Sequence, residues 1–456
     1  MDKFFNYKKR GSSLLQEIIC GIIVFFSMSY ILPVNANILS SMGADYNAVF
    51  FATAIVSGIC CLLMGLIANY PVVLSAGMGI NSFLAFSVSG AMGYSFNECL
   101  LIVFVSGIIF LLLTITSLRK KIIQSIPKPL RYALSAGLGA FICFVGLKNG
   151  GIIEADPEGT FVKLGNLSNP LVLLSFFGIL LSLILMQFKG KIGKLSIVIS
   201  ILITVFIGVI LGLFGVENMP KFTYTPIKEG YSAFFNNVGI CFNKEAWGIF
   251  SRFETYAIIF SLIFVQLFDT TATLIAIGDK VGLIDEKGNL KDAEKAMLAD
   301  SIGAVICAPL GTSSVTCFAE STIGVESGAK TGISTCVTGL LFFLATLLFP
   351  VFSIFLGIEV DGVNYTPVTS LALVSVGSLM FSNLKDIDWD DKITVTSSFL
   401  IIILMVLTFS ISDGLGLGLI FYSLMMIFAK RGKEVPITIY IISVFFVLNY
   451  LINIIL

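Results

Sequence analysis

Apolar runs about 20 residues long, separated by short polar stretches, recur from Glu17 to the end of the chain, and that is the length a helix needs to cross roughly 30 Å of hydrocarbon. The pattern predicts spans near 17–40, 47–68, 73–92, 96–118, 132–152, 170–188, 195–215, 255–278, 297–310, 316–328, 331–357, 366–383, 394–411, 415–429 and 436–456. Three of them, 297–310, 316–328 and 415–429, are too short to cross alone. The first run has no small-residue cleavage site and ends in the polar PVNAN, so it reads as a retained span. The aromatic-rich segment 216–254 stands outside the pattern and reads as an external flap or interfacial hairpin.

Two interruptions carry more information than the spans. NYPVVLSAGMGINSF (69–83) and GTSSVTCFAESTIG (311–324) break the apolar pattern with Gly, Ser and Thr, one in each half. SSVTCF is a short β-prone run, and ESTIGV after it opens a helical stretch, as does SAGMGIN in the first half. Backbone at membrane depth leaves the helix only where protein or a water-filled cavity satisfies its N–H and C=O groups. The helices 132–152 and 370–390, both rich in small residues, end in GLKNGGI and SNLKDID, the first end placed outside and the second inside. The two copies then run in opposite directions, as in inverted repeats, where paired broken segments mark a transporter's substrate site.

Charge sets the orientation. Most of the 28 lysines and arginines lie in the N-terminus, 119–131, 189–194, 279–295, 385–392 and 430–433. The positive-inside rule puts these loops, and the N-terminus, in the cytoplasm. That works with fourteen spans through residue 429 and leaves 436–456 as an extra segment. Only 12% of residues are charged, against about 25% in soluble domains, so the chain reads as a multi-pass protein of the lipid bilayer with no nucleic-acid partner. The sequence has no histidine, which disfavours the usual zinc sites and histidine-dependent triads. No metal or cofactor is expected. The nine cysteines mostly sit singly inside apolar runs and read as small buried residues.

Asp269 is the only charge between 255 and 278, and Glu320 the only one between 301 and 325. A carboxylate at the bilayer centre costs about 2.5–3.5 kcal/mol on insertion scales, enough to make it rare without a role. Thr270, Thr271 and Thr273 are placed to satisfy Asp269 locally; the functional reading is that both carboxylates line one cavity and hold and release a proton. Glu17, Asp300, Glu326 and Lys330, near span ends, read as snorkelling or capping residues. A helix starting at Glu320 aims free N–H groups into the cavity, and Ala76, Gly77, Met78 and Gly79 offer the same from the other half, the glycines letting a ligand approach the backbone. Such a site suits a planar, polar, uncharged ligand. Ser321, Thr270 and Thr316 supply further polar contacts, and Phe83 or Phe318 an aromatic face.

NYPVVLSAGMGINSF, LFDTTATL, ADSIGAVICAPLGTSSVTCFAESTIGV and VGSLMFSNLKDIDWDD together resemble the nucleobase transporter family, and within it the azaguanine-type purine permeases, over nearly the whole chain. The resemblance implies an all-α polytopic fold of fourteen segments in two inverted seven-segment repeats, with short strands before broken helices. The core domain would be 1–120 plus 252–360 and the gate domain 121–251 plus 361–456. It also implies proton-coupled uptake of purine bases (guanine, hypoxanthine, adenine or xanthine) across the cytoplasmic membrane, the core sliding against the gate as an elevator, with sodium as the alternative ion. Asp269 and Glu320 match the family's acidic positions in the eighth and tenth spans. Thr273 falls where some relatives have histidine, Phe318 and Ala319 flank the ligand, and Ala76 to Gly79 match the third-span break. Ala76, Ala272, Cys317 and Phe318 depart from the usual residues of that branch around the base pocket. A homodimer through the gate is expected. The rivals are carriers of a pyrimidine base or an inorganic anion on the same architecture, a channel, and an intramembrane aspartyl protease using Asp269 with Asp413 of SDGLG (412–416).

Overall fold

The computed structural model describes residues 2–116, 127–156, 161–220, 226–283, 292–352, 358–360 and 363–455. Parts of two basic loops read from the sequence, 119–126 and 284–291, lie outside the described residues. Numbering helices of more than four residues, the chain begins with α1 (Leu14–Met28) and α2 (Ile31–Ser40). Ser13 starts α1 by accepting from Gln16 N at 3.2 Å, the bond an N-cap supplies to a free helix donor. Pro33 explains the break between the two helices, since it brings no N–H to the carbonyl of Ser29, which accepts instead from Leu32 N at 3.3 Å. PVNAN does not end the first run: α2 carries it inside, with Asn35 wholly buried.

Asp45 caps α3 (Tyr46–Leu63), accepting from Ala48 N at 3.0 Å, and Asn69, left-handed at φ 55°, closes the π-type turn that follows. Strand β1 (Leu74–Ala76) then leads into α4 (Met78–Ser82), which widens into π geometry over Phe83–Ala91. Next come α5 (Phe96–Ile115), α6 (Lys128–Asn149), the hairpin of β2 (Ile153–Asp156) and β3 (Phe161–Leu164), α7 (Pro170–Leu185) and α8 (Ser196–Leu213). Ser95 and Glu98 form a reciprocal capping box at the start of α5.

The 216–254 segment, expected to be an external flap or interfacial hairpin, is largely helical over its described residues. Residues 221–225 lie outside the described part, but the rest is helix α9 (Ile227–Asn237) followed by two short 3₁₀ helices, Ile240–Phe242 and Lys244–Ser251. One face of α9 is apolar and closes on α3: Phe234 is buried, and a Cβ on Gly230 would stand 2.1 Å from the Phe51 ring. Tyr231 Oη pairs with Thr346 Oγ1 at 3.0 Å, and Gly239 N donates to Pro309 O at 2.7 Å.

The second half holds α10 (Glu254–Lys280), α11 (Ala293–Ile306), β4 (Val315–Cys317), α12 (Ser321–Glu326) and α13 (Gly332–Ala345). The hairpin of β5 (Ile358–Val360) and β6 (Val363–Tyr365), then α14 (Pro367–Phe381), α15 (Lys392–Leu407), α16 (Ile411–Phe428) and α17 (Ile437–Ile455), complete the chain. By length and composition six described helices suffice to cross a bilayer, counting α1 with α2, and six shorter apolar helices accompany them. In the last segment Ile437–Ile455 is helical, with Phe446 buried and Ser443 bonded to Ser423 at 2.9 Å.

Small residues let the helices touch. A Cβ on Gly139 of α6 would meet Gly377 O at 2.6 Å, and one on Gly377 of α14 would meet Gly139 O at 2.4 Å, so these helices cross backbone to backbone. Gly107 of α5 lies as close to Ala304 O of α11. Dispersion between closely approaching backbones is what holds helices together where lipid is as apolar as leucine.

Candidate functional site

The two interruptions read from the sequence meet. β1 and β4 pair antiparallel, Leu74 opposite Cys317, Ser75 opposite Thr316 and Ala76 opposite Val315. The ladder is extended at both ends, by Phe318 N to Val73 O and Gly77 N to Ser314 O, each 2.9 Å. This accounts for non-helical backbone inside an apolar protein: strands too short to stand alone satisfy one another. Each strand runs directly into a short helix, so α4 and α12 start from opposite ends of one small ladder.

Glu320 sits at the turn between β4 and α12, half-buried, beside the exposed Ala319. Its Oε1 accepts from Tyr30 Oη at 2.6 Å. Asp269, also half-buried, comes from α10, which is docked on β4 through Gln266 Nε2 donating to Val315 O at 3.2 Å. Gln266 lies one helical turn before Asp269, so this bond sets the height at which the aspartate is presented. The helix α10 packs against both β4 and α12, the elements on either side of Glu320.

Behind them lies a wholly buried polar cluster. Asn35 Nδ2 donates to Thr53 Oγ1 at 2.8 Å and to Thr312 Oγ1 at 3.0 Å, its Oδ1 accepts from Asn81 Nδ2, and Asn81 Oδ1 accepts from Ser313 Oγ. The five residues come from α2, α3, α4 and the approach to β4, and all are fully buried. A buried network with its members paired rigidifies what it joins, here the roots of both half-helices.

Of the residues singled out from sequence, Asp269, Glu320, Phe318 and Ala319 stand around the mouth of the ladder. Others are used differently. Thr270, fully buried, turns to Asp300 and donates to its Oδ1 at 3.2 Å. Ser321 Oγ accepts from Val73 N at 2.9 Å and so fastens the ladder. Thr316 is buried with its side chain against Gly77, where a Cβ would come within 3.0 Å of it, and a Cβ on Gly79 would meet Leu138 of α6 at 2.8 Å. Both glycines lie in close contact with protein on the side where a Cβ would stand. Ala76, Met78 and Phe83 are buried. Glu17 does cap, accepting from Lys330 N at 2.8 Å. Asp300 does not snorkel: it is fully buried.

Sequence reading passed over Tyr30, Asn35, Asn81 and Gln266. A signal existed for the first three: a tyrosine three residues before Pro33, and amides at positions that a purely apolar helix would fill with leucine.

A helical membrane chain in which two strand-to-helix breaks meet beside two carboxylates is built as a permease. The chain belongs to the nucleobase/ascorbate transporter family, whose profile, described as "Permease family", matches residues 15–417. It is similar to the guanine/hypoxanthine permease PbuG of Bacillus subtilis strain 168, 40% identical over 464 residues, covering 99% of this chain and 99% of that one. To the adenine permease AdeP of Escherichia coli K12 it is 35% identical over 98% of this chain and 95% of the other. Among solved structures, the transmembrane domain of a cyanobacterium bicarbonate transporter, BicA, shares the fold with TM-score 0.60 and 14% identity, covering 87% of this chain and 96% of that one. Membership of a permease family removes the protease reading, and Asp413 is used locally, opening α16 and accepting from Tyr450 Oη at 3.2 Å.

Proposed function

We propose that this chain imports purine nucleobases across the cytoplasmic membrane, with Glu320 and Asp269 as the groups that recognise the base. The observation that carries the reading is the pair of half-buried carboxylates at the mouth of the β1–β4 ladder. Carboxylates accept from the N–H groups of a neutral heterocycle, and the relatives named as guanine/hypoxanthine and adenine permeases support that choice of ligand. Uptake is coupled to a proton carried by the Asp269–Glu320 pair, whose titration belongs to the two together; sodium is the alternative driving ion.

The architecture we infer is fourteen segments in two inverted repeats, N-terminus in the cytoplasm, with the core at 1–120 and 252–360 and the gate in the remainder. The reciprocal pairing of β1 with β4 and of α6 with α14, each pair drawn from both halves, supports the repeat. The core moves past the gate as an elevator, and gate domains pair two copies into a dimer. An inorganic-anion carrier is the second reading, supported by the fold shared with a bicarbonate transporter. Two carboxylates at the site oppose it, because an anion would meet like charge.

The test is initial-rate uptake of labelled adenine, guanine, hypoxanthine, xanthine and uracil into cells lacking their own base transporters, with and without a protonophore. Purine uptake that collapses with the proton gradient is expected. Correct insertion with no base entering, or bicarbonate entering in its place, overturns the assignment.

A further inference from the structure

Oε1 of Glu320 is held by a hydroxyl of the protein. The holder, Tyr30, lies 290 residues away in sequence, at the break between α1 and α2, and is only 3% exposed. Helical bonding resumes with Val34 N reaching Tyr30 O at 3.1 Å, on the far side of the carbonyl that Pro33 leaves without its usual donor. Tyr30 is thereby the N-cap of the resumed helix, anchored by its own backbone while its ring reaches the β4–α12 turn.

Glu320 needs such a holder. It stands in a turn, outside regular helix, on a side chain with three rotatable bonds, and each bond frozen when a ligand arrives weakens binding. A phenol suits this role because its hydroxyl both donates and accepts. It stays bonded to the carboxyl group whether that group is ionised or carries a proton, which a carbonyl, having no donor, would not do.

We propose that Tyr30 is a positioning residue of the transport site: it fixes Oε1 of Glu320 so that Oε2 faces the base, in both protonation states. This rests on the reading of Glu320 as the group that binds the base. It adds the first span to the site, and it makes the helix break at Ser29–Tyr30 part of substrate recognition.

The experiment compares Tyr30→Phe, Glu320→Gln and Tyr46→Phe in uptake of labelled guanine, hypoxanthine and adenine from pH 5 to 8, and in binding of the same bases to purified protein. Tyr46 is the control because it is a second buried tyrosine whose hydroxyl is bonded, to Phe352 O at 3.3 Å, outside the site. Losing a hydrogen bond to a charged group should raise KM and Kd for Tyr30→Phe roughly tenfold. Maximal rate should stay within about twofold, since chain packing is kept, and the pH profile of KM should move. Tyr46→Phe should leave KM and its profile as they were. Tyr30→Met, which also removes the donor, serves if Tyr30→Phe fails to reach the membrane. A Tyr30 variant with unchanged KM, Kd and pH profile beside a Glu320→Gln that has lost binding overturns the positioning role alone. A Glu320→Gln with normal binding overturns the reading of the site, and the positioning role with it.

Discussion

Replacing the charge of Glu320 while keeping its shape is the sharpest change available at the level of one residue. Glu320→Gln trades one acceptor oxygen for a donor NH₂, so a ligand N–H loses its partner and Tyr30 faces an amide. Uptake should be abolished or fall at least about a hundredfold, on the scale of one buried partner left stranded; near-normal rates would refute the assignment. Asp269→Asn should leave binding measurable while abolishing acceleration of uptake by an inward proton gradient, measured as uptake at pH 5 against pH 8. Deeper in, Asn81→Leu leaves the Oδ1 of Asn35 and the hydroxyl of Ser313 without their shared partner. A half-satisfied network is worse than none, so the melting temperature of the purified protein should drop, with a cost of roughly 2–3 kcal/mol.

At the level of elements, two features have separable consequences. Gly377→Ala would thrust a methyl to 2.4 Å from Gly139 O, where a backbone atom has no rotamer to yield, so α6 and α14 must part. Lower thermal stability of the purified protein is expected, with base affinity little changed, because neither glycine borders the two carboxylates. The second feature is the cap of α15. Asp391 accepts from Thr394 Oγ1 at 2.6 Å and Thr394 N at 3.1 Å, and from Arg431 Nη1 at 2.8 Å. The Thr394 hydroxyl first, then its amide and Arg431, hold the Asp391 carboxyl below its usual value. A lowered carboxyl stabilises the fold fully above the ordinary aspartate range, and that stabilisation is lost as pH falls through the range to the lowered value. Asp391→Asn should thus lower the melting temperature at pH 7, and the gap from wild type should close on acidification toward pH 3.

How much of this was legible in the sequence also differs by element. The helices were, because twenty-residue apolar runs have few other readings, and so were the broken segments, because Gly, Ser and Thr at membrane depth need a reason. The carboxylates Asp269 and Glu320 announced themselves by isolation. Partners did not: which hydroxyl meets Glu320, or that Thr270 serves Asp300, depends on chain segments hundreds of residues apart meeting at one height. The amphipathic α9 escapes a sequence reading for a related reason. Its aromatic residues answer to Phe51 and Thr346, which local periodicity does not reveal.

For the whole molecule, the proposed elevator has a contact that can be trapped. Gly79 of α4 abuts Leu138 of α6, one in the core and the other in the gate as we divide the chain. Cysteines at both positions, in a background freed of the native thiols, should form a disulfide on oxidation, since a Cβ at 79 would already touch the Leu138 side chain. Uptake should stop and return on reduction. Full transport by the cross-linked protein would exclude sliding at this surface. The strap α9 has a different role in such a motion: bonded to Pro309 and Thr346, it should travel with the core, although it precedes residue 252.

The small ladder at the centre also imposes an order on biosynthesis. Val73 N waits for Ser321 Oγ, which emerges 248 residues later, a delay of roughly 12–50 s at ribosomal speeds of about 5–20 residues per second. Throughout that interval the first strand is without its ladder partner, although Cys61 Sγ already stands ready for Leu74 O. The nascent chain must keep this stretch wet, or in the keeping of the insertion machinery, until its complement is translated.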